Sequence, residues 1–318
     1  MDDCSAEITT AATTPFGKEP HWYLARLNTL NTFMRASLNS YFNAEQVNSP
    51  PEPDYTVTEV LRGLESSLRT ESHGWLSRYL WAHKNKKRGL DVLVRLFTLR
   101  LIASTEMQPQ EQQQLGPVGE GVHLCLLCLK AIMGRPFGFR QVVTASEESS
   151  EGQLPSSPVL NVIALSIAHP NVIQPTKSLA LDLLATVCLM DDGAHHQLVL
   201  IAFDHVQRLM PAEERRFQSL VHLFTTFALF DRPLSVSCMQ FTNILVNAPF
   251  TPPDLKLRVC LQLELRQLGL DQAYLKKRLQ NCSSAELQFH IQSYLNNIID
   301  VGTFLSEHVF AIDSEQQT

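Results

Sequence analysis

Apolar positions recur every three or four residues along most of the chain, as in Leu287, Ile291, Leu295 and Ile298, while alternation with the period of a strand is hard to find. That period predicts helices throughout. Ser157-Pro158, Gln174-Pro175, Met210-Pro211 and Thr251-Pro252 each set a proline where a helix begins, since its missing N–H removes no bond in the first turn. Ser283 with Glu286 reads as a capping box opening a long last helix whose pattern runs to Gly302, and Gly269 after Leu268 reads as a helix stop.

The helical pattern is broken in four places. Residues 1–20 are small, polar and punctuated by proline, which predicts a disordered lead-in. Ser49-Pro50-Pro51-Glu52-Pro53 separates an amphipathic stretch, His21 to Phe42, from a block starting near Tyr55. Gln108 to Gly121 and Ser146 to Pro158 lack periodic apolar positions and read as surface loops. Between the breaks, Leu126–Met133, Leu181–Met190, Cys238–Val246 and Gln292–Asp300 look alike, with centres about 55 residues apart, somewhat longer than armadillo or HEAT units. Cys128 and Cys238 stand 110 residues apart, two such periods. We read a short, right-handed, armadillo-type solenoid in an all-α chain, with Leu184 among its buried positions. Stacked units of this kind leave a ladder of equivalent helices suited to an extended or helical peptide.

Composition narrows the function classes. The 318 residues are 44% hydrophobic and include 47 leucines, ample for helix-on-helix cores, and only 18% are charged. A net charge of −6 gives no basic excess for nucleic acid. No apolar run exceeds the six residues of Leu198 to Phe203, far short of a membrane span. The acidic start Met1-Asp2-Asp3-Cys4 resembles no secretory signal and lacks the glycine after Met1 that myristoylation requires, so a cytoplasmic chain is expected. Seven cysteines, mostly inside Leu-rich segments, fit reduced core thiols.

Candidate chemistry is sparse. His195-His196 near Asp191 and Asp192 offers imidazole and carboxylate groups, but adjacent helical residues point about 100° apart and cannot both face one ion. Cys125 and Cys128 have Cys-x-x-Cys spacing without a second pair, in a uniformly apolar segment. No phosphate-binding loop, nucleophile elbow or zinc-protease motif occurs, so no catalysis, metal or cofactor is expected. Lys84-Asn85-Lys86-Lys87-Arg88, after Trp75, Tyr79 and Trp81, suits an acidic protein surface or phospholipid headgroups, or equally a solvated turn.

Several collinear strings are more specific. Leu61-Arg62-Gly63-Leu64-Glu65-Ser66-Ser67-Leu68-Arg69-Thr70, Gly74-Trp75 and Arg88-Gly89-Leu90-Asp91-Val92-Leu93 resemble the GTPase-binding segment of diaphanous-related formins, nearest the formin-like (leukocyte formin) branch. Cys128-Leu129-Lys130-Ala131-Ile132-Met133 with Phe137-Gly138 resembles the first armadillo signature of the formin homology 3 region. Leu183 to Leu189, Arg216-Phe217, Cys238 to Ile244, Leu268 to Asp271 and Tyr294 to Gly302 follow in the family's order. The resemblance, from about Tyr23 to Glu307, implies a GTPase-binding helical subdomain over 21–115, an armadillo-repeat formin homology 3 region over 116–303 and a tail over 304–318.

It also implies two partners, a GTP-loaded Rho-family GTPase and the amphipathic autoregulatory helix from a formin's C-terminal end, which the GTPase displaces. Actin would be reached only indirectly and membrane only through the GTPase, at the cytoskeleton or cell cortex. By resemblance the helix groove takes in Lys130, Thr186, Leu189, Gln240 and Asn243, with Arg62, Arg69 and Trp75 at the GTPase. Leu189 reads equally as core, and both arginines as solvated surface. Departures from the family are Gly134, where Asn is frequent, and Thr186, where a smaller Ala is. No proline-rich profilin-binding stretch or formin homology 2 domain occurs before Thr318, so the chain is read as a fragment of a longer formin or a free-standing regulatory half. The alternative function is an armadillo-type adaptor that no longer binds these ligands.

Overall fold

In the computed structural model, residues 17–43, 53–81, 89–106, 118–144, 156–226, 232–247, 255–300 and 302 are described, and among them there are helices, turns and no strand. Most of the expected lead-in, of the Pro50 break and of the Gln-rich and Ser-rich loops, with the Thr251-Pro252 start, the Lys84 to Arg88 run and the tail, lie outside the described residues, while Val118 to Gly121, read as the end of a loop, instead open a helix because their first turn joins the apolar period that follows. The chain divides into two compact units at Arg135/Pro136. The helix that follows residue 116 packs within the first of these units.

That first unit holds α1 (Pro20–Asn43), α2 (Val57–Thr70), α3 (His73–Leu80), α4 (Gly89–Glu106) and α5 (Val118–Met133). Helix α5 lies against α2 and α4, and α1 lies against α2, α3 and α4. Leu61, Leu64, Leu93, Leu96, Phe97, Leu126 and Leu129 fill the interior with no exposed surface. Thr56 and Glu59 close a reciprocal capping box at the start of α2. At its other end the Arg135 guanidinium donates to the carbonyl of Glu71 at 2.6 Å and of Leu68 at 3.3 Å, satisfying acceptors that a helix terminus leaves open. Gly89 admits no side chain, because a Cβ would stand 2.4 Å from the Tyr79 carbonyl oxygen.

The second unit holds α6 (Pro136–Val143), α7 (Pro158–Ala168), α8 (Gln174–Leu189), α9 (His196–Leu209), α10 (Gln218–Thr225), α11 (Arg232–Asn247), α12 (Leu255–Gln267), α13 (Gln272–Gln280) and α14 (Ala285–Asn296). Helix α8 packs on α11 and α11 on α14, so three of the four look-alike segments form consecutive rungs. Outer helices cover them, with α7 and α9 on α8, α10 and α12 on α11, and α13 on α14. Leu184 is buried on α8, as the pattern predicted. Arg216 ties three elements by donating to both Glu264 oxygens of α12, at 3.0 and 2.6 Å, and to Asp204 of α9 at 3.3 Å.

Helix ends match the sequence reading in part. Ser157 caps α7, and Pro175 stands in the first turn of α8. Gly269 adopts φ +104°, and the Leu270 N–H returns to the Leu265 carbonyl at 3.0 Å, closing α12 as expected of a glycine stop. Met210-Pro211, expected to start a helix, instead ends α9, and α10 begins only at Gln218, after Phe217 at φ 67°. The last helix is capped by Ser284 rather than Ser283, whose hydroxyl accepts from Arg232 at 3.0 Å, and it stops at Asn296, short of Gly302.

Candidate binding face on the helical rungs

Helix α8 is buried on all sides but one. Its interior face carries Leu179, Ala180, Leu181, Leu183, Leu184, Val187 and Cys188, and its exposed residues are Pro175, Asp182, Thr186 and Leu189, three to seven apart and so on one stripe. Leu189 is 48% exposed and Met190 beside it 42%. Thr186 turns its hydroxyl back to the Asp182 carbonyl at 2.8 Å, presenting its methyl outward. The chain then leaves the helix sharply, with Asp191 at φ 50° and Asp192 at φ 52°.

Helix α11 repeats the arrangement. Leu234, Cys238, Phe241, Leu245 and Val246 face inward, while Ser237, Gln240 and Ile244 form the accessible stripe. Helix α14 buries Leu287, Ile291 and Tyr294 and leaves Phe289 68% exposed. Three neighbouring rungs thus each show an apolar side chain, Leu189, Ile244 and Phe289, among short polar ones. Sequence reasoning missed Ile244 and Phe289, although Phe289 stands two positions from both Leu287 and Ile291, off the stripe they define, which was a legible signal.

Asn243 sits differently. It is 9% exposed, and its amide donates to the His290 carbonyl at 2.8 Å, linking α11 to α14, while its buried Oδ1 finds no acceptor role. Gln240 is exposed. Lys130 belongs to the first unit, exposed near the end of α5. At Gly134 a Cβ would approach nothing closer than the Lys130 and Ala131 carbonyls, at 3.5 and 3.6 Å, so glycine is not sterically required.

The residues assigned to the GTPase lie in the first unit and divide into two kinds. Arg62 and Arg69 are exposed on α2, but each pairs within the chain, Arg62 with Glu120 and Arg69 with Glu65 at 3.4 Å. Trp75 is core. It is 3% exposed, stacks on Tyr79 with centroids 5.8 Å apart, meets Tyr23 edge-on and donates its indole N–H to the Lys18 carbonyl at 3.1 Å.

The groups with catalytic residue types do not converge. His195 reaches Asp191 at 3.0 Å, whereas His196 turns inward to the Leu245 carbonyl at 2.7 Å and burial lowers its pKa. Burial pushes the Cys125 thiol up to about 12 and Cys128 well above its ordinary range, the reverse of a reactive thiolate. Among the described residues no three His, Cys, Asp or Glu side chains gather as metal ligands, and no single helix is long and apolar enough to cross a membrane.

Stacked helical rungs with one accessible stripe each define an armadillo-type repeat protein. Residues 196–316 match the Diaphanous FH3 domain. The chain is 32% identical to human Formin-like protein 1 over 298 aligned residues, 79% of this chain and 25% of that protein. It is 36% identical to the Drosophila melanogaster Formin-like protein over 204 residues, 64% of this chain and 15% of that protein. Disheveled-associated activator of morphogenesis 2 of Gallus gallus is 25% identical over 279 residues, 86% of this chain and 22% of that protein. The chain belongs to the diaphanous-related formins and corresponds to their N-terminal regulatory region. It spans about a quarter or less of the length of these relatives.

Proposed function

We propose that this region is a regulatory binding module that takes a formin autoregulatory helix on its α8–α11–α14 rungs and an active Rho-family GTPase through its first unit, and so governs actin organisation from the cytoplasm. The observation that carries the reading is that three rungs packed side by side each leave an apolar side chain accessible, Leu189 and Phe289 exposed and Ile244 partly so. An amphipathic helix needs such a shallow apolar surface with polar groups at its edge, and Thr186, Asp182 and Gln240 supply the edge. Arg62 and Arg69 remain the proposed GTPase contacts, exchanging their internal carboxylates for those of the GTPase.

The test is fluorescence anisotropy with a labelled formin autoregulatory helix, followed by titration of GTP-loaded and GDP-loaded Rho-family proteins. The expected result is saturable binding, lost with Leu189→Asp and competed away by the GTP form alone. Binding indifferent to Leu189→Asp would overturn the helix site. One observation favours a second reading, an armadillo-type adaptor for another partner: Asn243, assigned by resemblance to the groove, already spends its amide on His290. Partners captured independently of both helix and nucleotide would support it.

A further inference from the structure

At the N-terminal end of α8 a cavity of about 640 Å³ opens between the α7–α8 turn and α10. Its wall is largely apolar, with Ile167, Pro170, Val172, Ile173 and Leu223, and none of its lining residues is acidic. Lys177 is 7% exposed as a residue, its backbone N–H donates to the Ile173 carbonyl at 3.1 Å, and its side chain lines the cavity. A single ammonium in a largely apolar wall that carries no carboxylate favours an anionic group beside it. The first turn of α8 faces the same cavity through Gln174 and Pro175, adding the positive end of the helix dipole on the side of the ammonium.

Volume and lining suit a molecule of drug-like size, and the charge sets its sign. We propose that this cavity is a binding site for a small amphiphilic anion, with its apolar body against Ile167, Val172 and Leu223 and a single carboxylate-type headgroup on Lys177. Burial lowers the Lys177 pKa to about 8, opposed by Cys238 and Glu213, so the ammonium carries its charge at pH 7. Glu213 does not claim it, because that carboxylate accepts from the backbone N–H of Ser219 at 3.0 Å and from its hydroxyl. The site lies twelve residues before Leu189, about 18 Å along the helix, and stands or falls independently of the helix-binding face.

The experiment titrates 8-anilinonaphthalene-1-sulfonate, an aromatic body with one anionic group, into the whole chain at pH 7 while following its fluorescence. N-phenyl-1-naphthylamine, similar in body but neutral, is titrated in parallel. The expected result is one saturable site for the anion, weakened at least tenfold by Lys177→Met, with the neutral probe unaffected. Ile173→Glu, at an exposed rim position where folding is not at risk, should weaken the anion and spare the neutral probe. The proposal is overturned if the anion binds wild type and Lys177→Met alike in samples of equal helicity, or if Ile173→Glu weakens both probes equally.

Discussion

Helices α2 and α8 were both marked by family resemblance as ligand-facing, and the structure treats their marked residues in opposite ways. On α2 the exposed arginines already hold carboxylates of their own unit, and nearby Trp75 of α3 is enclosed by Tyr23 and Tyr79. On α8 the marked Leu189 is left half in water, with Met190 beside it. A charged residue paired on the surface is compatible with ordinary solvation, whereas an exposed Leu-Met pair forfeits hydrophobic stabilisation unless something covers it. Exposed apolar surface occurs in the first unit too, at Phe42 and Trp81, but only on the rungs of the second does it fall on a residue marked by the resemblance, Leu189.

Substitutions that should separate the two regions range widely in size. Trp75→Ala should cost about 3–5 kcal/mol in denaturant unfolding, as expected for an emptied core site; a cost below about 1 kcal/mol would return Trp75 to the surface. Within α8, Leu184→Ala should cost about 2–5 kcal/mol and propagate to adjoining rungs, against less than about 1 kcal/mol for Leu189→Ala.

Lys177 gives an intermediate effect readable in pH. Its pKa falls from the ordinary 10.5 to about 8 on folding, so between those values the unfolded chain holds a proton that the folded chain has released, and stability rises with pH. Lys177→Met lacks that rise. The stability difference between variant and wild type should change by roughly 3 kcal/mol from pH 7 to above pH 10, in favour of wild type, with the buried tyrosines cancelling because both proteins share them. A parallel pair of pH curves would show the lysine to be solvated. The smallest effect is Arg62→Ala, at about 0.2–1 kcal/mol and weaker in high salt. Loss of GTPase binding by that variant, with stability kept, would sharpen the contrast by giving the first unit a partner too.

The helical period, the Ser157 and Gly269 boundaries and the repeat of α8, α11 and α14 were legible because each rests on local chemistry: a hydroxyl cap, a residue tolerant of positive φ, one apolar stripe. Met210-Pro211 was misread because a proline after an apolar residue fits a turn as well as a first helical turn, and the choice was made by Glu213 binding Ser219 across it. The one-residue error at Ser283 has a similar origin, since either of two adjacent serines can cap and Arg232 occupies the first. Of the binding face, Leu189 could not be distinguished from core by spacing alone, and Trp75 was placed outside although Leu76, Tyr79 and Leu80 share its helix and its burial. Lys177 left no trace in the sequence, because the cavity it lines is closed by Ser219, His222 and Leu223 of a separate helix.

The four enclosed cysteines offer a way to time the opening of the stack. Cys125 and Cys128 sit in α5, Cys188 in α8 and Cys238 in α11, whereas Cys260 is exposed. Alkylating reagent should consume Cys260 at once and reach each of the others only when its own helix lifts away, so the order in which peptides acquire label would rank the helices by their local opening free energy without any mutation.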